Sequence, residues 1–240
     1  MNSIQGKELE LEGQTAIVTG GGRGIGRATC LALARKGANI IVTARSQDEI
    51  EEVRKMVEDM GSKSLAVAAD LREESDIRSM VTKSIEHFGT IDILVNNAGV
   101  AVRKPLTETS AEEYDTVMDV NVRGMFLCMK YVLPHMLREG RGKVINVSSG
   151  AGKSGIRQLA VYSASKFAVI GLTESVAQEV SGKIGVHAVC PGSVDTDMYR
   201  SLYPDEASLR PEDVAARIVE LCLPGSGTAS GSCVTVYGNG

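Results

Sequence analysis

The sequence predicts one doubly wound α/β domain over residues 1–240, a seven-stranded parallel sheet with helices on both faces. Three observations lead there. From Thr15 onward, short β-branched runs alternate with longer amphipathic stretches, the pattern of strands and crossover helices in a parallel sheet. A glycine-rich string, Thr19 to Gly26 (TGGGRGIG), sits at the first strand-to-helix junction. No linker interrupts the chain, and the small-residue stretch Pro224 to Gly231 (PGSGTASG) reads as a loop.

The strand candidates are Thr15 to Thr19, Asn39 to Thr43, Ser64 to Ala69, Ile91 to Val95, Lys143 to Ser148, Gly185 to Cys190 and Cys233 to Tyr237. Each is short and apolar enough to be buried on both faces. Between them, Ile25 to Lys36, Gln47 to Met60, Glu74 to Phe88, Ala111 to Arg138, Val161 to Val180 and Pro211 to Leu223 carry apolar residues at three-to-four spacing, as amphipathic helices do. Gly37 and Gly61 mark helix ends, and Pro211 with Glu212 and Asp213 marks a helix start. Right-handed crossovers and a reversal of strand order place a ligand crevice at the carboxyl edge of such a sheet. Functional residues are therefore expected in the loops that follow the strands.

Composition excludes several classes. With 43% hydrophobic and 23% charged residues, a chain of 240 residues builds a core without disulfides or a structural metal. A net charge of −4 offers no clustered cations for a phosphate backbone, so nucleic acid is not an expected partner. Cys30, Cys128, Cys190, Cys222 and Cys233 are odd in number, scattered and never in a CxxC pair, which fits a reduced cytoplasmic setting. His87, His135 and His187 lack ligand spacing, so no metal is expected. The segment Met1 to Gly13 carries Glu8, Glu10 and Glu12 and no apolar core of a leader, and no membrane span is expected.

In the glycine string, Gly20 permits a tight turn and Gly24 lets backbone approach a pyrophosphate. Gly26 lets the helix pack on the strand while its first N–H groups face the anion. After the second strand the chain reads Thr43-Ala44-Arg45-Ser46, with no carboxylate for a ribose 2′-OH and with a guanidinium suited to a phosphate. NADP(H) is therefore the expected cofactor, although Arg45 also reads as a solvated cation. Arg23 adds a second cation in the loop.

Tyr162-Ser163-Ala164-Ser165-Lys166 (YSASK) places a phenol and an ammonium at i and i+4, on one helical face. A tyrosine titrates near about 10, and use as a base near neutrality needs a fall of roughly 2 to 3 units, about 3 to 4 kcal/mol. An ammonium about 5 Å away at an effective dielectric of about 20 contributes roughly 3 kcal/mol of that. Ser149 ends the fifth strand thirteen residues before Tyr162, where a hydroxyl can face the crevice, with Ser148 as the competing neighbour.

The spacing G-x3-G-x-G, Asn96-Asn97-Ala98-Gly99 (NNAG) and YSASK together resemble the short-chain dehydrogenase/reductase family, over nearly the whole chain. The resemblance implies a Rossmann-type fold and a catalytic set of Asn121, Ser149, Tyr162 and Lys166, with Asn121 holding a water that links the lysine to solvent. It implies cofactor contacts from the loop residues Gly20, Arg23, Gly24, Ile25 and Gly26, and from Arg45. It extends them to Asp70 on adenine with Leu71 beside it, to Asn97 under the turn, and to Lys166 and Tyr162 at the nicotinamide ribose. Pro191, Val194 and Thr196 (PGSVDT) then seat the carboxamide, and a short substrate lid spans about 197–210. Taken singly, Asp70 also reads as a helix-capping or solvated carboxylate.

The expected function is NADP(H)-dependent interconversion of a carbonyl and a secondary alcohol, with 3-oxoacyl-acyl-carrier-protein reductases nearest in motif layout. Alternatives are a sugar or polyol dehydrogenase and a non-catalytic dinucleotide sensor. The group Arg138, Arg141 and Lys143 reads as a solvated helix end or as a dock for an acidic carrier. By resemblance the fourth and fifth helices pair across a two-fold axis, giving a homodimer or homotetramer.

Overall fold

The computed structural model describes residues 9–238. The first part of the acidic N-terminal segment, through Glu8, lies outside them. The strands are β1 (Thr15–Thr19), β2 (Asn39–Ala44), β3 (Ser64–Ala68), β4 (Ile93–Asn96), β5 (Lys143–Val147), β6 (Gly185–Pro191) and β7 (Cys233–Val236). All pair in parallel, in the order β3-β2-β1-β4-β5-β6-β7. Each predicted strand is present, and the ends differ from the sequence reading by at most two residues. The reversal falls between β1 and β4, which opens a crevice at the carboxyl ends of those two strands.

The helices are α1 (Gly24–Ala34), α2 (Gln47–Asp59), α3 (Glu74–Phe88), α4 (Ala111–Met118), α5 (Met125–Glu139), α6 (Ala160–Glu179), α7 (Asp197–Leu202) and α8 (Pro211–Cys222). Two cores result, one on each face of the sheet. Leu33 of α1, Ile50 of α2 and Ile218 of α8 pack with Val18 and Ile40 on one side. Ile77 of α3, Met129 of α5 and Val169 of α6 pack with Ile17 and Ile41 on the other. Neighbouring residues of β1 and β2 thus serve opposite cores, the period of two that a doubly covered strand requires.

The long helix expected over Ala111 to Arg138 is present as one unbroken helical path, α4 through α5, that ends one residue later at Glu139. Ser110 caps it through a reciprocal box with Glu113, and a wider π turn at Asp119–Gly124, which the sequence did not reveal, joins α4 to α5. A π turn inserts one residue into the helical path, so the apolar stripe stays legible while the register shifts. Gly124 sits against Leu71, where a Cβ would come within 2.9 Å of the Leu71 backbone oxygen.

At the amino edge of the sheet, buried Asp92 accepts from the Thr15 N–H at 3.0 Å and pairs with Arg141 at 3.0 Å. Arg138 lies against His135 Nδ1 at 2.6 Å. Two of the three cations in the basic group are thus engaged by the fold itself. Among the described residues no helix is long and apolar enough to cross a membrane.

Candidate active site

The crevice at the strand reversal has a volume of about 730 Å³ and is bordered by the glycine loop, the ends of β2 to β6 and α7. Its floor is shaped by glycines that admit no side chain. Gly20 has φ +63°, and a Cβ on Gly26 would lie 2.0 Å from the Gly20 carbonyl oxygen. Asn97 holds the turn from beneath, its Nδ2 donating to the carbonyls of Thr19 (2.9 Å) and Gly20 (3.2 Å). The Thr19 hydroxyl accepts from the N–H groups of Asn97 and Ala98, an anchor that sequence reading missed. α1 starts at Gly24, so the amides of Gly24 and Ile25 border the crevice as an anion cradle does.

At the β2 end, exposed Arg45 lines the crevice with Asp70. The Arg72 side chain grips the Asp70 carboxylate with contacts down to 2.6 Å. That pairing holds the Asp70 carboxyl below its ordinary range, with Arg45 adding a smaller pull. Asp70 is thus fixed by its own chain, and only its remaining lone pairs face a ligand. Leu71 beside it is buried and lines the crevice. Glu49 of α2, which sequence reading passed over, lies so close that a Cβ on Gly22 would sit 2.8 Å from the Glu49 Cβ. The other loop cation, Arg23, pairs across the mouth with Asp197 at 3.6 Å.

On the far side, Tyr162 and Lys166 stand in the first two turns of α6, the Lys166 Nζ lying 5.6 Å from the centre of the phenol ring. Lys166 is 4% exposed, and its ammonium donates to the Val147 carbonyl at 2.9 Å. Burial pushes it down to about 8. Ser149 accepts from the Ala151 N–H at 3.1 Å, which leaves its own O–H free to donate, and it stands beside the Tyr162 phenol. Ser148 instead donates to the Lys166 carbonyl at 2.8 Å. The two serines are thus separated: Ser149 is at the phenol and Ser148 braces the helix.

The expectation that Lys166 lowers the Tyr162 phenol is corrected. Burial pushes the phenol above its ordinary value, the nearby Ser149 hydroxyl offsets part of this, and nearby Tyr203 adds to the rise. The ammonium is turned to a backbone carbonyl rather than to the phenol oxygen. Asn121 is also more occupied than expected. Its Nδ2 donates to the Val100 carbonyl (2.9 Å) and the Ser165 hydroxyl (3.0 Å), and its Oδ1 accepts from the Val100 N–H (2.8 Å). A water beside Lys166 would therefore be held by the second lone pair of Oδ1 or by backbone of the π turn. Gly99 keeps this path open, since its Cβ would lie 3.4 Å from the Lys166 Nζ and 3.3 Å from the Asn121 Oδ1.

Pro191 and Val194 are buried along the crevice, and Thr196 caps α7. The Thr196 methyl would lie 3.2 Å from a Cβ on Gly24, so this loop and the glycine loop approach closely over the opening. The short lid expected at 197–210 contains α7, whose six residues are too few for periodicity to reveal. Its Tyr199 and Tyr203 stack at 5.0 Å, and the Arg103 guanidinium lies 4.4 Å from the Tyr203 ring. With Met198 and Leu202 they give the crevice an apolar, aromatic wall that sequence reading did not assign. Among the described residues no group of three His, Cys, Asp or Glu side chains is placed to hold a metal ion.

The glycine cradle at the reversal point and the phenol across from it define an oxidoreductase of the doubly wound, dinucleotide-binding class. The short chain dehydrogenase family pattern matches residues 14–207. A 3-oxoacyl-acyl-carrier-protein reductase of Staphylococcus epidermidis is 39% identical over 194 residues, 80% of this chain and 80% of that protein. An uncharacterized oxidoreductase of Thermotoga maritima is 36% identical over 211 residues, 88% of this chain and 82% of that protein. A 3-ketoacyl-acyl-carrier-protein reductase from Brucella melitensis, solved with NADH, superposes with a TM-score of 0.87 at 32% identity, covering 94% of this chain and 97% of that one. The chain belongs to the short-chain dehydrogenase/reductase family.

Proposed function

We propose that the protein is an NADP(H)-dependent carbonyl reductase that prefers 3-oxoacyl thioesters. The observation that carries the chemistry is Lys166, buried one helical turn behind Tyr162 with its ammonium 5.6 Å from the phenol ring, and the Ser149 hydroxyl beside that phenol. Tyr162 acts as the acid that protonates the carbonyl oxygen. Its raised pKa keeps it protonated at neutral pH, as reduction requires. Ser149, with a free O–H, hydrogen-bonds the same oxygen as charge develops there. Lys166 has one donor on Val147, and the others are available to a nicotinamide ribose and to the proton path past Asn121 and Gly99. The chemistry a bound nicotinamide supplies is the hydride, and in its oxidised form a positive charge that favours the phenolate when the reaction runs in reverse.

Gly20, Gly24, Ile25, Gly26 and Asn97 are assigned to the pyrophosphate turn, Asp70 and Leu71 to the adenine, and Pro191, Val194 and Thr196 to the carboxamide. Arg45 is assigned to a 2′-phosphate, with Arg23 nearby. The family resemblance to 3-oxoacyl reductases and the apolar wall of Tyr199, Tyr203, Met198 and Leu202 favour an acyl chain over a sugar or polyol. The remaining reading is of one cytoplasmic domain that assembles as a homodimer or homotetramer. Phe126 of α5 and Phe167 of α6 support that assembly, being exposed at 45% and 47%.

The test is to follow NADPH absorbance against 3-oxoacyl thioesters, sugars, diketones and steroids. The expected result is fastest turnover with a 3-oxoacyl thioester and slower turnover with NADH. Bound NADPH with no turnover of any carbonyl would replace the enzyme reading with a dinucleotide sensor.

A further inference from the structure

Two thiols lie at the end of β6, next to Pro191, which lines the crevice. In the parallel pair β6–β7, Ala188 faces Cys233 and Cys190 faces Thr235. Cys190 and Cys233 are therefore diagonal neighbours on one face of the sheet. Their Sγ atoms are 2.7 Å apart, and both are free thiols. Two unbonded carbons rest at ~3.5 Å or more, and sulfur is larger, so this spacing is closer to a disulfide's ~2.05 Å than to ordinary contact. Cys30, Cys128 and Cys222 are free thiols buried in the two cores.

We propose that Cys190 and Cys233 form a reversible dithiol–disulfide site that transmits oxidation by peroxides to the Pro191–Thr196 loop. Cys233, half-buried, is the entry point, whereas Cys190 is buried and its thiol is pushed up to about 12. The Cys233 thiolate attacks one peroxide oxygen, the O–O bond breaks, and the departing hydroxide takes a proton to become water. Cys190 sulfur then attacks the Cys233 sulfenic sulfur. The S–O bond breaks, and the departing hydroxide takes the Cys190 proton as a second water. Two thiols and one hydrogen peroxide thus give one disulfide and two waters, with two electrons passing from sulfur to oxygen. A small dithiol restores both thiols and leaves as its own disulfide.

The bond reaches the site through backbone. Cys190 precedes Pro191, and the next N–H, on Gly192, donates to the Val236 carbonyl at 2.9 Å. Cys190 also lies near Ser148, whose hydroxyl donates to the Lys166 carbonyl. Drawing the sulfurs together by about 0.6 Å moves this strand end relative to the catalytic helix, on the scale at which positioning governs turnover. The link to turnover rests on the dinucleotide reading of the crevice, whereas the thiol chemistry does not.

The full-length protein is incubated with hydrogen peroxide, and denatured thiols are counted, intact mass measured and non-reduced peptides mapped. The expected result is a fall from five thiols to three, a mass loss of two hydrogens and a Cys190–Cys233 linked peptide. Turnover should fall about threefold or more and return with dithiothreitol. Cys233→Ser should keep the turnover of the reduced enzyme and lose the response to peroxide, with Cys233→Ala as a second variant if the serine form does not fold. Five thiols persisting, a link through another cysteine, a disulfide that leaves turnover unchanged, or the same peroxide loss in the variant would each overturn the proposal. A reduced enzyme that turns over no carbonyl would sink the proposed function alone, because the thiol count still reports the pair.

Discussion

A phenol that burial keeps protonated and an ammonium that burial tries to neutralise stand on the same face of α6, and each makes a residue-level prediction. Tyr162→Phe removes the proton donor but no crevice wall, so reduction should fall by at least about 100-fold while NADPH affinity, read by fluorescence titration, stays within a fewfold. Retained turnover would remove Tyr162 from its role. Lys166 is held near 8 in the folded chain against 10.5 for an ordinary lysine. Between those pH values the unfolded chain keeps a proton that the folded chain has shed, so wild-type stability rises with pH across the window. Below pH 8 the full cost of burying the charge, about 3 kcal/mol, is present. Lys166→Met should therefore abolish turnover yet gain stability over wild type at pH 7. That gain should shrink by about 3 kcal/mol from pH 8 to 10.5 in denaturant titrations, and a pH-independent difference would contradict the burial argument. At the β2 end, Ala44→Asp would set a carboxylate beside Arg45 and the proposed phosphate. It should cut kcat/KM for NADPH by 10-fold or more, on the order of 1.4 kcal/mol, and spare NADH. An unchanged cofactor ratio would mean that Glu49 or another group reads that end.

Between elements, the tightest junction is the turn from β1 into α1. A Cβ at Gly26 would meet the Gly20 carbonyl at 2.0 Å and the Asn97 Nδ2 at 2.6 Å, so Gly26→Ala must push α1 away from β1. Loss of about 1 to 3 kcal/mol in stability and a tenfold or larger loss of NADPH affinity are expected from thermal melts and titration. Wild-type values for both would show that the turn can relax freely. This junction was legible in the sequence because glycine at fixed spacing after a β-branched run has few other uses. The π turn that joins α4 to α5 was not, since one added residue leaves Met118, Met125 and Met129 reading as one stripe of a single helix. Nor was α7, which is a single capped turn and a half. By resemblance the sequence favours Ser149 over Ser148; adjacent residues of a strand end point opposite ways, and the position of α6 sets which one lies toward the phenol.

At the scale of the whole molecule, the strand pattern made the parallel sheet and a reversal in its strand order readable, because seven apolar runs with helical crossovers admit few topologies; the order itself is set by the pairing. The long-range encounters did not follow from it. Tyr203 beside Tyr162, Arg141 on Asp92 and Cys190 against Cys233 join segments that no local pattern connects. The exposed Phe126 and Phe167 belong to the same level, and Phe167→Glu should lower the sedimenting mass toward that of one chain. A mass equal to that of wild type would remove Phe167 from the proposed assembly. The Thr15 N–H waits for Asp92, 77 residues later, and until β4 emerges the β1 strand has an open edge towards the second half of the sheet. During synthesis that edge is a template for another nascent chain, so crowded ribosomes should favour tangling of the first third of the protein, and delayed elongation before residue 93 should lower the soluble yield.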